Sequence, residues 1–254
     1  MLKFGDTDYP SLEGKVSKAE WRARVDLAAL YRLIPLMGWY DLVMAPASAR
    51  VPGEPNHYLF NPTGILFEEM TASALVKIDI EGKIVAETPF SIDGGAWYPM
   101  RSVHEVREDA DWVIHTHDDD CAALSARREK LLPISQGAAF VLADGLAYHA
   151  YDGIETYAER MAGLRQSLGT ANSMLLENHG AVTLGRSAWQ ALQRMSRLTK
   201  ACRIQLLAGR DEDLVRIPED VIATFPAELK RAGVNNPWAG LLRKLDRLDP
   251  SYRT

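Results

Sequence analysis

The stretch Trp112-Val113-Ile114-His115-Thr116-His117-Asp118-Asp119-Asp120 constrains this chain more than any other. Val113 and Ile114 read as the end of a buried strand. The Asp run reads as the first turn of a helix, where free N–H groups and the helix dipole favour negative charge. Alternate residues of a strand share a face, so His115 and His117 present two imidazoles side by side. That spacing suits one metal ion, which takes a third nitrogen or oxygen ligand and keeps an open position for substrate. The candidate third ligand is His179, in Leu175-Leu176-Glu177-Asn178-His179-Gly180, a second apolar run entering a glycine turn. A fold for this chain must bring those two distant segments together.

Composition narrows the function classes. The 254 residues leave room for one large domain or two small ones. A content of 47% hydrophobic and 25% charged residues is that of an ordinary soluble globule. The net charge of −5 argues against a nucleic-acid partner, which would select a basic face. Cys121 and Cys202 lie far apart and form no CxxC, so neither a disulfide framework nor a zinc ribbon is expected. No early apolar run resembles a signal peptide, and no run of about 18 apolar residues could cross a bilayer. A cytoplasmic protein with no membrane partner is the expectation.

Along the chain, residues 1–16 read as a loose N-terminal arm. Ser17-Lys18-Ala19-Glu20 is a capping box that opens a helix carrying Leu27, Leu30, Tyr31 and Ile34, closed by Gly38. Short strands are expected at 41–44, 48–51 and 58–60, then a turn at Asn61-Pro62-Thr63-Gly64 and a strand at 75–80. Helices are expected over 99–107, 118–128, 157–168 and 188–207, with a strand over 145–151. A short basic helix follows at 238–248, where Arg243, Lys244 and Arg247 are balanced by Asp246 and Asp249, the pattern of a solvated or interface face. One α/β domain over 17–225 is the economical reading. Residues 226–254 form an extension packed on that domain or on a neighbouring subunit.

The ordered set Leu30-Tyr31-Arg32-Leu33, Gly38-Trp39, Asn61-Pro62-Thr63-Gly64, Ala74-Leu75-Val76-Lys77-Ile78, His115-Thr116-His117, Leu131-Leu132-Pro133-Ile134-Ser135, Tyr148-His149-Ala150-Tyr151 and Asn178-His179-Gly180 resembles the class II aldolase/adducin family, several pieces being nearest its adducin-like branch. The resemblance implies a three-layer αβα fold, with a mostly antiparallel central sheet flanked by helices. It also implies a homotetramer with sites between subunits, and three metal-binding histidines matching His115, His117 and His179. The departures are informative. The glutamate that serves the family's aldolases as acid/base falls on Ala96, and their two phosphate-binding serines fall on Gly94 and Gly95. The asparagine of an early Gly-Asn turn falls near Pro46, whereas Thr63 and Gly64 keep another phosphate-side position. A sugar-phosphate aldolase is therefore not expected.

The expected function is a metal-dependent lyase, cleaving a C–C bond of a non-phosphorylated 2-hydroxy or 2-oxo acid by decarboxylation or an aldol-type step. Its anionic small-molecule substrate would meet one divalent ion, with zinc, manganese and iron all suited to imidazole. Tyr148 and His149 are the candidate catalytic proton donors, and Thr63, Gly64, Gly95 and Trp97 the candidate substrate-binding residues, with Trp97, Tyr98 and Phe140 able to wall an aromatic pocket. Two other readings stay open. One is a three-His non-haem iron oxygenase that oxidatively decarboxylates an aromatic hydroxy or oxo acid. The other is a non-catalytic scaffold like the adducins, against which the retained histidine set weighs. His57, His104 and His149 are not expected among the metal ligands.

Overall fold

Helix α1 (Lys18–Leu36) starts as its sequence directs, with the Ser17 hydroxyl accepting from the Glu20 N–H at 3.1 Å. Only half of the capping box is used. Glu20 is buried, and its carboxylate turns to Arg24 at 2.9 Å and Lys77 at 3.1 Å. A buried carboxylate gains more from two cations than from one backbone N–H. Gly38, at φ +80°, ends the helix. The computed structural model describes residues 9–39, 41–151, 157–209, 213–226 and 236–254, without the side chains of 157–160. Half of the expected N-terminal arm thus lies outside the described residues. Its other half is docked, Tyr9 hydroxyl to Thr71 at 2.6 Å and Leu12 N–H to Ser73 at 3.0 Å.

Among the described residues, seven strands form one sheet: β1 (Ala47–Arg50), β2 (His57–Phe60), β3 (Val76–Asp79), β4 (Trp112–Thr116), β5 (Leu146–His149), β6 (Ser173–Leu176) and β7 (Gly180–Gly185). Their order is β3-β2-β1-β4-β7-β6-β5, antiparallel throughout except for the parallel pair β5–β6. Helices α2 (Gly94–Val106) and α5 (Tyr157–Leu168) cover one face, over a core of Tyr58, Phe60, Trp97, Met100, Val113, Leu168 and Val182. Helices α1, α3 (Asp119–Ser125), α4 (Gln136–Asp144) and α6 (Ala188–Ala208) pack over the other. This is the expected three-layer αβα arrangement.

Several local expectations are corrected. Residues 41–44 form no strand; one isolated bridge joins Asp41 to Met44, and Leu42 and Ala45 take left-handed φ of 51° and 76°. Helix α2 begins at Gly94 rather than 99, because the Asp93 carboxylate caps it by accepting from the Gly95 N–H at 2.8 Å. Helix α3 stops at Ser125, short of 128. Helix α4 was not foreseen: the unbroken apolar run at 138–143 hides its period, although Ser135 supplies an ordinary N-cap. After α7 (Glu219–Ile222), helix α8 (Trp238–Leu248) lies against α1, with the Trp238 indole N–H donating to Asp26 at 2.9 Å. Tyr252 beyond it is fully buried.

Candidate metal centre

Register decides what faces the site. The ladder His115–Val182–Met174–Ala147 runs on the α2/α5 face, and Thr116–Ala181–Leu175–Tyr148 on the face toward α6. The second face is confirmed by Thr116, whose hydroxyl meets the Met195 sulfur of α6. His117, two residues beyond His115, returns to the first face just past the end of β4. There it meets His179, which stands in the turn of the β6–β7 hairpin.

That turn is fixed on three sides. The Glu177 N–H donates to His149 O at 2.9 Å, the Asn178 N–H to the Ser125 hydroxyl at 3.0 Å, and the His179 N–H to Leu176 O at 3.1 Å. Asn178 adopts φ +57°, a region asparagine tolerates better than most residues. Gly180 is required for a different reason. A Cβ there would stand 2.1 Å from the carbonyl oxygen of Thr116, so only glycine lets the two histidine-bearing segments approach so closely.

The three imidazoles converge through Nε2. His117 Nε2 lies 3.1 Å from His115 Nε2 and 3.0 Å from His179 Nε2, and the three ring centroids are 4.8–4.9 Å apart. Outside the cluster, His115 Nδ1 donates to the Ala181 carbonyl at 2.9 Å, and His117 Nδ1 donates to the Asp41 carboxylate at 2.6 Å. Burial, reinforced by His179 and then His117, pushes the His115 pKa down to about 3; burial and then His117 push His179 to about 4. With its proton on Nδ1, neutral His115 turns a bare lone pair inward, and His117 does the same when its Nδ1–H serves Asp41. Lone pairs 3.1 Å apart repel unless a cation lies among them. The donor set therefore fits one divalent ion held by three neutral nitrogens.

The other candidates are distributed less simply. His149 shares the histidine face, but its Nδ1 meets the Ser167 hydroxyl of α5 at 2.9 Å. Tyr148 lies on the opposite face, its hydroxyl accepting the Leu131 N–H at 2.8 Å, so the proton-supplying role expected of it does not fit within one chain. Trp97 is 2% exposed and its indole N–H is spent on Ile80 O, so packing replaces the expected substrate contact. Phe140 packs on Phe225 beneath Arg197 rather than walling the centre. Gly95 gives its N–H to the Asp93 cap. Thr63 and Gly64 sit in a turn tied to Ser91, with Asn61 held by the Tyr31 hydroxyl. His104 is buried between Ser48 and Ala110 O, and His57 pairs with Glu54, so neither joins the cluster. Sequence reasoning missed two residues: Asp41, and Tyr151, whose ring lies 6.5 Å edge-on from His179. No local signal marked Asp41; its neighbours read as a strand.

A cavity of about 560 Å³ lies elsewhere, lined by Tyr9, Leu12, Lys15, Glu20, Arg24 and Lys77 among others. Glu20, Arg24 and Lys77 are paired with one another or with Glu54, so they leave little charge to select a ligand.

A sheet between two helix layers, with a three-histidine cluster at a strand end and a hairpin, has the donor set of a metal site, and comparison with known proteins gives the family. Residues 25–206 match the family model described as Class II Aldolase and Adducin N-terminal domain. A Caulobacter vibrioides protein provisionally named a class 2 aldolase is 43% identical over 251 residues, covering 95% of this chain and 96% of that one. A crystal structure of an aldolase II superfamily protein from Pseudomonas syringae superposes with a TM-score of 0.90 at 39% identity, covering 96% of this chain and 100% of that one. Mouse alpha-adducin is 38% identical over 205 residues, which is 78% of this chain but only 28% of the adducin. The chain belongs to the class II aldolase/adducin family. Enzymes of this family are typically metal-dependent C–C lyases and are often oligomeric. No helix among the described residues is long and apolar enough to cross a membrane.

Proposed function

We propose that this chain is a divalent-metal-dependent enzyme that cleaves a carbon–carbon bond of a non-phosphorylated 2-hydroxy or 2-oxo acid, by decarboxylation or an aldol-type lyase step. The observation that carries the reading is the convergence of three Nε2 atoms, with the Nδ1 protons of His115 and His117 engaged outside the cluster. His115, His117 and His179 would hold the ion. When bound, it supplies Lewis acidity, stabilising negative charge that develops on a substrate oxygen. Three neutral ligands leave the charge of the ion uncompensated by any directly bound carboxylate, which favours an anionic, chelating substrate.

Ala96 in the first turn of α2 can neither move a proton nor bind a metal, and Gly94 and Gly95 offer no side chain to a phosphate. Decarboxylation suits a site without a carboxylate base. The bond to the carboxylate breaks, CO2 departs, and the bonding pair stays on the substrate until a proton arrives from solvent. His117, whose side chain is 21% exposed, keeps the centre open to substrate.

The test is elemental analysis of protein purified with and without oxygen, followed by turnover of a panel of 2-oxo and 2-hydroxy acids. The expected result is one divalent ion per chain and C–C cleavage without oxygen uptake, both lost in His179→Ala. Bound iron with oxygen uptake would select the oxygenase. Absence of any tightly bound metal would select a scaffold, as in the adducin relatives.

A further inference from the structure

Asp41 is the residue on which the sequence and the structure differ most. The expected strand is instead a tight turn in which the Met44 N–H returns to Asp41 O at 2.8 Å. Leu42 and Ala45 hold left-handed backbone in it without being glycine, a conformation that costs an L-residue energy. Leu42 gains no burial in return, being 60% exposed. Ala45 is buried in the core, and the turn also gains two contacts with one short segment. The His115 N–H donates to Pro46 O at 2.9 Å, and the Asp41 carboxylate receives the His117 Nδ1 proton at 2.6 Å.

We propose that Asp41 is the positioning residue of the metal centre, holding His117 as its Nδ1–H tautomer and aiming Nε2 at the ion. The proposal rests on the metal-centre reading above. An imidazole offers one lone pair when neutral, and the hydrogen bond made by one nitrogen decides which nitrogen presents it. His115 is oriented by a strand carbonyl, a partner any β-sheet supplies. His117 lies past the end of β4, beyond the cross-strand ladder, and needs a dedicated acceptor. A carboxylate is the stronger choice, because it also raises the basicity of the ligand nitrogen. The strained turn is the means by which the chain brings that carboxylate to the far side of the ring.

The test compares wild type with Asp41→Ala and Asp41→Asn, measuring zinc affinity by chelator competition. The tautomer of His117 is read by NMR on 15N-histidine-labelled, metal-stripped protein. Asp41→Ala is expected to weaken zinc binding by roughly 10–100-fold and to release His117 into a tautomer mixture. Asp41→Asn keeps an acceptor oxygen and is expected to lose less. In a His117→Ala background the Asp41→Ala change should cost almost nothing further. Zinc affinity within twofold of wild type, or an unchanged His117 tautomer, would overturn the proposal while leaving the metal centre standing. Equal losses in the Asn and Ala variants that disappear in high salt would reduce Asp41 to a diffuse charge and overturn it equally. A wild type that binds no zinc, manganese or iron would overturn both readings.

Discussion

At Asn178-His179-Gly180 each residue answers a separate physical demand. Asn178 supplies the left-handed turn, His179 the third imidazole of the cluster, and Gly180 the close passage under Thr116 O. The Gly180→Ala variant tests the last of these directly. The obstructing atom is backbone on a central strand and cannot swing aside, so β4 and β7 must part just where His117 leaves β4. A loss of roughly 1–3 kcal/mol is expected, the usual cost of overpacking, together with weakened metal binding. Urea denaturation and metal content measure the two effects. A wild-type midpoint would mean that the strands are farther apart than described.

Among the elements, helix α2 is tied to the sheet by a buried histidine rather than by apolar contact alone. His104 accepts from the Ser48 hydroxyl of β1 at 2.8 Å and donates to Ala110 O at 2.9 Å, and its ring stacks beside Trp97. Burial, with Arg50 nearby, lowers its pKa from 6.5 to about 3. The unfolded chain therefore takes up this proton first. The contribution of His104 to stability is complete above pH 6.5 and is lost as the pH falls from there toward 3. The slope from one such group is at most about 1.4 kcal/mol per pH unit. His104→Gln should flatten the acid side of the stability profile between pH 6 and 4, read by denaturation of metal-stripped protein at each pH, while costing stability at neutral pH. A profile parallel to wild type would show that His104 is not held neutral.

For the whole molecule, the centre in one chain is bordered by exposed apolar surface. Leu42 is 60% exposed, Met44 46% and Tyr151 57%, and these residues flank Asp41 or face His179. Such a rim beside the histidine cluster is the surface a neighbouring copy would cover, in keeping with a family whose enzymes are often oligomeric. A homotetramer is the expected state, with light scattering reporting about four times the 28.3 kDa chain mass. A stable monomer at working concentration would count against it. Metal removal should loosen the assembly only if the centre and the interface share residues.

Much of the centre was legible in the sequence because its determinants are local. The period of a strand places His115 and His117 on one face, the Asp118 carboxylate caps α3 by accepting from the Cys121 N–H at 2.9 Å, and an Asn-His-Gly turn carries its own backbone signature. Helix α8 ran over the expected residues because its amphipathic pattern is unbroken. Register and face are different matters. Tyr148 and His149 are neighbours in sequence, yet pairing with β6 sends one toward α6 and the other toward α5. Trp97 reads as a pocket aromatic until the packing of α2 on Phe60 and Tyr58 buries it. Asp41 has no local mark, because its role arises only when a strained turn meets the end of a strand 76 positions away. The sequence alone determined which residues could bind a metal and which elements carry them. The tertiary structure decided which acceptor orients each imidazole and which side chains share its face, since those follow from strand pairing and packing between segments whose mutual placement no local pattern encodes.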